Sequence, residues 1–302
     1  MNRRDFLKTV GATGAATAVG LGGLRFGALQ ALAAQQPDGQ ELHARRQQTP
    51  EGPPRANTFS ICAVNPKTGE AGVAVASKCL SVGALVCYAE PGVGAIATQA
   101  TVNPHYGREG LKLLRKNLPA AEVVRRLTEQ DVIVTPDEEQ FIKRYTGEDL
   151  TEEGQDFLRD RAGKRILWLA NRMRQLGVVD RQGNAATYNG ARIVSWSGSV
   201  TGPCFSCQGN MLAEEKVIAD MAKAFEHQRS GATSLVAPLL AALEAGEAAG
   251  GDKRGKQAAA MLVVRDHGHW TGSDRWCDIR VDDHAEPVAE LARILKKTGF
   301  LK

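Results

Sequence analysis

Residues 58–77 read TFSICAVNPKTGEAGVAVAS, two apolar runs of small and β-branched residues separated by Asn65-Pro66-Lys67-Thr68-Gly69. Asn, Pro and Gly at such a break make a turn, so the stretch predicts a β-hairpin. Two more short apolar runs, Val82 to Tyr88 and Gly94 to Thr98, follow on either side of Pro91-Gly92 and predict further strands of the same sheet. The period then changes. After Asn103-Pro104, Leu111, Leu114 and Leu118 fall at helical spacing, and Pro119 opens a second helix through Leu127.

A charged stretch from Pro136 to Arg174 reads as helices, with Phe141, Tyr145, Phe157, Ile166, Leu167 and Leu169 as apolar positions. Strand signals return at Leu176 to Val179 and Ala185 to Tyr188, joined by the turn Asp180-Arg181-Gln182-Gly183-Asn184. Helices over 213–227 and 233–245, strands over 258–265 and 276–281 and a last helix from Pro287 to Lys297 complete the chain. Strands and helices come in separate groups. That order predicts an α+β domain of antiparallel sheets with helices packed outside them, and it disfavours a doubly wound parallel sheet. Neither a GxxxxGKS/T nor a GxGxxG loop lies between a strand and a helix, and no cofactor motif is present.

Working towards the N-terminus, residues 34–57 are rich in Gln, Pro, Gly and charge, without apolar periodicity, and read as a linker or pro-segment. Residues 1–33 read as a twin-arginine signal peptide. Arg3-Arg4-Asp5-Phe6-Leu7-Lys8 precedes a mild Ala/Gly/Val stretch, and Ala31-Leu32-Ala33 offers a small-x-small cleavage site. The stretch is too glycine-rich for a permanent membrane span, so no stable span is expected in the mature form. The implied partner is the twin-arginine export machinery, and the implied location is the periplasm or beyond. The signal's basic residues carry most of the net charge of +4, which leaves the mature chain near neutrality. No basic stripe for nucleic acid remains. The sequence sets no limit on oligomeric state, a homo-oligomer included.

Of the 6 cysteines, Cys62, Cys79 and Cys87 sit in or beside apolar runs and read as core residues. Cys204-Phe205-Ser206-Cys207 has CxxC spacing. Unlinked thiols are preferred for that pair, ahead of a local disulfide and then of metal, because a lone pair is half a zinc site at best.

Several segments together resemble a bacterial and archaeal family, domain of unknown function number 1028. They are Thr58-Phe59-Ser60-Ile61; Gly72-Val73-Ala74-Val75-Ala76-Ser77; Ala97-Thr98-Gln99 with Asn103-Pro104-His105-Tyr106-Gly107; Arg174-Gln175 before Gly177-Val178-Val179-Asp180; Gln208-Gly209-Asn210-Met211-Leu212; Ala249-Gly250-Gly251-Asp252-Lys253-Arg254-Gly255 with Gln257; and Asp278 with Arg280-Val281-Asp282-Asp283-His284. The resemblance implies a single domain over 58–302 with the fold of the N-terminal nucleophile hydrolases, a four-layer sandwich of two antiparallel sheets between helix layers. Departures from the family pattern are Ser197-Gly198-Ser199, Ala258 after Gln257, and a long stretch near 132–171 that reads as a helical insertion.

In such enzymes the first residue of the mature chain attacks an amide carbonyl while its own α-amine takes the proton. Thr58 is the candidate nucleophile, since it carries a hydroxyl at the start of the first core strand; Ser60 and Cys62 lie deeper in that strand. This role needs a second cut, between Asn57 and Thr58; without it Thr58 is simply a β-branched residue opening a strand. Lys78 ends the second strand and is placed to lower the nucleophile's proton affinity or to hold a substrate carboxylate, when it is not an edge charge in solvent. The amides of Gln99, Asn103, Gln208 and Asn210 lie at strand-to-loop transitions, where they either donate to a developing oxyanion or satisfy loop backbone. Of these Asn210 is assigned the catalytic role and Gln99, Asn103 and Gln208 substrate binding. Asp252 and Arg254, after Gly250-Gly251, read as a loop-fixing ion pair or as recognition of a charged substrate end.

No metal site is expected: alternation along a strand separates Asp283 from Asp278 and Asp282, and Asp283 or His284 reads as a cap of the last helix. The function so read is an exported amidohydrolase acting on a small amide or peptide-like substrate, envelope-derived in some readings. The alternatives are a non-catalytic ligand-binding protein with the same fold and, third, a metal-dependent hydrolase using the aspartates.

Overall fold

A computed structural model describes residues 58–129, 131, 171–191, 193, 196–269 and 271–301. The expected signal peptide and linker, and all but the last residue of the stretch near 132–171 expected as a helical insertion, lie outside the described residues.

The predicted hairpin is β1 (Thr58–Asn65) and β2 (Glu70–Ser77), paired over their whole length from Thr58 opposite Ser77 to Asn65 opposite Glu70. Its turn closes when the amides of Thr68 and Gly69 donate to the Asn65 carbonyl. Gly69 has φ +73°, a conformation that costs glycine little. Strand β8 (Phe205–Asn210) pairs with the other side of β1, and β7 (Ser197–Gly202) with β8. β9 (Ala258–Val264) pairs with β2, and β10 (Arg275–Val281) with β9. The resulting sheet has 6 strands in the order β10-β9-β2-β1-β8-β7. A second sheet of 4 strands runs β3 (Cys87–Glu90), β4 (Gly94–Ala100), β5 (Arg174–Asp180), β6 (Ala185–Asn189). Every strand pair is antiparallel.

Six helices complete the described residues: α1 (Gly83–Val86), α2 (Pro104–Arg115), α3 (Ala120–Glu129), α4 (Lys216–Arg229), α5 (Val236–Ala248) and α6 (Pro287–Lys297). Side-chain alternation sorts them into layers. Phe59, Ile61 and Ala63 of β1 face α4, α5 and α6 and pack with Phe225, Leu239 and Leu291. Cys62 and Val64 face the other way and meet Ala95, Ala97 and Val179 of the smaller sheet. On that sheet's far side Ile96, Leu176 and Val178 pack with Tyr106, Leu114 and Val123 of α2 and α3. The layers therefore run helix, sheet, sheet, helix. β2 lies buried on both faces, which is why it reads as an unbroken run of small and β-branched residues.

Several local expectations fail: β3 and β4, expected in the same sheet as β1 and β2, belong to the smaller sheet. Residues 83–86 form one helical turn, and the strand begins only at Cys87. A short apolar run does not distinguish the two, and the chain enters this turn through Ser81 at φ +54°. The β7–β8 hairpin was not expected at all, because its Ser, Gly and Gln content hides the alternation. Its turn places Cys204 at φ +72°; Cys207 packs among the helices, whereas Cys204 lies against the inter-sheet core, and both are free thiols. At the start of α6 the N-cap residue is Glu286, and His284 stands just before it, its Nδ1 accepting from the Glu286 backbone amide at 3.0 Å.

Candidate functional site

The inter-sheet space changes character along its length. At the end where β1 finishes it holds Val64, Ala71, Ala95 and Val179. At the end where β1 begins it holds Thr58, Ser60, Gln99, Gln175, Gln208 and Asn210, all buried. Register explains the convergence. Thr58 lies opposite Ser77 on one side and Asn210 on the other, Ser60 lies opposite Gln208, and Gln99 of β4 lies opposite Gln175 of β5. Even-numbered residues of β1 and β8 and odd-numbered residues of β4 and β5 point inward, so the polar side chains of the two sheets meet.

They form one hydrogen-bonded network. Gln208 Nε2 donates to Ser60 Oγ at 2.7 Å, and Ser60 Oγ donates to Gln99 Oε1 at 2.6 Å. Gln99 Nε2 donates to Gln175 Oε1 at 2.7 Å and reaches the carbonyls of Thr58 and Gln208, each at 3.3 Å. Asn210 Nδ2 donates to the same Gln175 Oε1 at 2.9 Å. Gln175 Nε2 in turn serves Asn189 Oδ1 at 2.6 Å and the carbonyl of Gly209 at 2.8 Å. Gln175 is thus the hub, bonded at both ends of its amide. Gly177 gives Gln208 its room: a Cβ there would lie 2.1 Å from Gln208 Oε1. The Thr58 hydroxyl is 3.1 Å from Ser77 Oγ.

The charged candidates lie just outside this network. The chain leaves β2 at Ser77, so Ser77 rather than Lys78 opposes Thr58. The Lys78 amide donates to Asp252 Oδ2 at 2.6 Å, and its ammonium donates to the Lys256 carbonyl at 3.0 Å. Asp252 is buried; its carboxylate also accepts from the Arg254 amide at 2.9 Å and pairs with the Arg254 guanidinium at 3.1 Å. The two residues therefore do fix the loop. A pocket opens at this edge, floored by Phe59 and Ala76 and walled by Ser77, Gly250, Gly251 and Lys256. Phe59 and Ala76 face the helices, so this pocket lies on the opposite face of the sheet from the Thr58 hydroxyl.

Asn103 is not brought to the site. Its side chain caps α2 by accepting from the His105 amide at 3.1 Å, and it donates to Asp131 at 2.8 Å. Asp131 is in turn paired in the interior with Arg174 at 3.0 Å. Thr58, Gln99, Gln208 and Asn210 are brought together; Lys78, Asp252 and Arg254 form the adjoining edge. Gln175 and Ser77 were missed as site residues. Gln175 had a signal, a polar residue between Arg174 and Leu176-Gly177-Val178-Val179 on the strand face that carries Gly177 and Val179. Cys62, next along β1, is no competing nucleophile: burial pushes its thiol up to about 12, against the smaller opposing pull of hydrogen bonds with Ser206 and Gln208. Among the described residues no group of three or more His, Cys, Asp or Glu side chains is placed to hold a metal ion.

The model of a family of unknown function, DUF1028, matches residues 58–165 and 168–291. The model of the twin-arginine translocation signal matches residues 1–20. Among solved structures, a crystal structure of a DUF1028 protein from Silicibacter pomeroyi is similar, with 30% sequence identity, a TM-score of 0.61, and coverage of 80% of this chain and 86% of that one. No curated protein matches the chain.

Proposed function

The chain belongs to DUF1028, a family of unknown function, and carries a twin-arginine signal; on that premise we propose that it is an exported amide hydrolase of the N-terminal nucleophile type, working in the periplasm. The observation that carries this reading is the position of Thr58, which opens the central strand at the polar end of the inter-sheet space, opposite Asn210 and beside Ser77. The helix–sheet–sheet–helix order supports the same assignment.

The chemistry starts with the second cut, between Asn57 and Thr58, which frees the Thr58 α-amine. Thr58 Oγ1 then bonds to the amide carbon, and its proton passes to the α-amine and on to the leaving nitrogen as the C–N bond breaks. Asn210 Nδ2, oriented by Gln175, is the donor nearest in register for the developing oxyanion. Water hydrolyses the resulting ester and restores the hydroxyl. Gln99 acts by holding the Thr58 carbonyl, and Gln208 by holding Ser60.

Intact mass and N-terminal sequencing of the exported protein test the reading. A mature chain that starts at Thr58 supports it, and one that starts at Ala34 with Asn57-Thr58 intact overturns it. Thr58→Ala should abolish turnover of an amide substrate while the fold persists, and retained turnover would contradict the role. A second reading, a ligand-binding protein without turnover, has its own support. The amides around Thr58 already bond one another, as in a purely structural network.

A further inference from the structure

The pocket between the loop after α5 and the start of α6 lies on the helix side of the larger sheet, away from the Thr58 hydroxyl, and has a chemistry of its own. It is a cavity of about 100 Å³. Phe59 and Ala76 of the sheet and Pro287 of α6 make its floor apolar. Gly250, Gly251 and Gly255 stand in its wall at φ +111°, +51° and +110°, so backbone without side chains borders the space. A Cβ at Gly251 would lie 3.1 Å from the Phe59 ring, and one at Gly255 would meet nothing within 4 Å. The first glycine leaves the floor uncovered, and the second, which is exposed, leaves the approach from solvent open.

Three ionisable residues border the cavity, Glu247, Asp252 and Lys256. Asp252 is fully engaged: its carboxylate accepts from the backbone amides of Lys78 and Arg254 and pairs with the Arg254 guanidinium. Glu247 and Lys256 are held less firmly. Lys256 is shared between Glu247, at 3.0 Å, and Glu286, and the hydrogen bond to Glu286 is the first cause that raises the pKa of its ammonium above the ordinary value. Among the described residues Lys256 is the only cation paired with Glu247. The Lys256 side chain is 38% exposed, so opening this pair costs little. One ammonium thus stands between two carboxylates. A zwitterion fits such a set: with its ammonium on Glu247 and its carboxylate on Lys256, which keeps Glu286, the charges alternate throughout.

We infer that this cavity binds a small free aliphatic α-amino acid, with its ammonium on Glu247, its carboxylate on Lys256 and its side chain on Phe59, Ala76 and Pro287. The two charged groups of an α-amino acid flank one carbon and suit two partners that are themselves adjacent, while the floor takes the alkyl group. The site is independent of the hydrolase reading, because none of these side chains belongs to the network between the sheets.

Calorimetric titration of the exported protein with valine, isobutylamine and isovalerate tests the assignment, since these carry one alkyl group with both charged groups or with only one of them. Valine should bind saturably and at least about tenfold tighter than either of the others. Glu247→Gln and Lys256→Met should each weaken valine binding by about tenfold or more, and Lys256→Arg should retain most of it, with melting curves confirming that each variant is folded. No saturable binding of valine would overturn the inference. So would isobutylamine or isovalerate binding as tightly as valine, which marks a site for one charge only, and so would unchanged affinity in folded Glu247→Gln or Lys256→Met. The comparison of the three compounds needs no variant and decides the matter even where a substitution disturbs the loop.

Discussion

Gln175 is bonded at both ends of its amide, so replacing it leaves more than one buried partner unsatisfied. Gln175→Leu removes the acceptor shared by the buried amides of Gln99 and Asn210 and the donor to the buried Gly209 carbonyl, and should cost about 2–4 kcal/mol, read as a lower urea midpoint at unchanged slope. Gly177→Ala should also destabilise, by about 1–3 kcal/mol, because the new methyl collides with the Gln208 amide. A pair of neutral effects would show that the network is looser than its distances. At this scale the sequence was partly legible. The residues around Thr58 could be named from a strand start and from polar residues at strand ends. Gln175 was passed over because its importance comes from pairing with β4, a contact across 76 positions of sequence that no local pattern carries.

At the scale of elements, legibility followed periodicity. α2, α3 and α6 show a clear apolar stripe and appear where expected, while β7 and β8 were invisible. β8 reads FSCQGN: its inward face is Ser, Gln and Asn, and its outward face is Phe, Cys and Gly, so the polarity that marks the site erased the strand signal. The same ambiguity misled the reading of Asn103, whose polar side chain before a proline fits a binding loop and a helix cap equally well. It is a cap. Asn103→Ala should lower stability by about 1–2 kcal/mol, since it removes the acceptor for the His105 amide and a donor to buried Asp131. Thermal melts of the purified variant would check this, and no change would mean that Arg174 alone satisfies Asp131.

For the whole molecule, the cysteines give a pH dependence whose sign is determined. Cys62 and Cys277 are both pushed up to about 12 from an ordinary value of 9.0, by burial first. Between those values the folded protein holds these protons while the unfolded chain loses them. The stabilisation is complete below pH 9 and is lost as pH rises towards 12, at up to about 1.4 kcal/mol per pH unit for each thiol. Melting temperature should therefore fall steeply above pH 9. Cys62→Ala should be less stable at neutral pH through lost packing but show a flatter alkaline decline, and an equal slope in both proteins would contradict the burial of that thiol. The layer order itself was within reach of the sequence, because grouped strands and grouped helices leave few ways to cover two antiparallel sheets. The assignment of each strand to its sheet was not, since β1 and β8 are neighbours separated by more than a hundred residues.

The gradient between the sheets has a mechanical consequence. Contacts among Val64, Ala95 and Val179 are non-directional and tolerate a shift of two surfaces by a fraction of an ångström better than side-chain hydrogen bonds of 2.6–2.9 Å do. The sandwich is thus riveted at one end and greased at the other. Thermal opening should begin like a book from the Val64 edge, with amide hydrogens of β1 exchanging faster near Asn65 than near Ser60, and the spine of that book is the place where Thr58 sits.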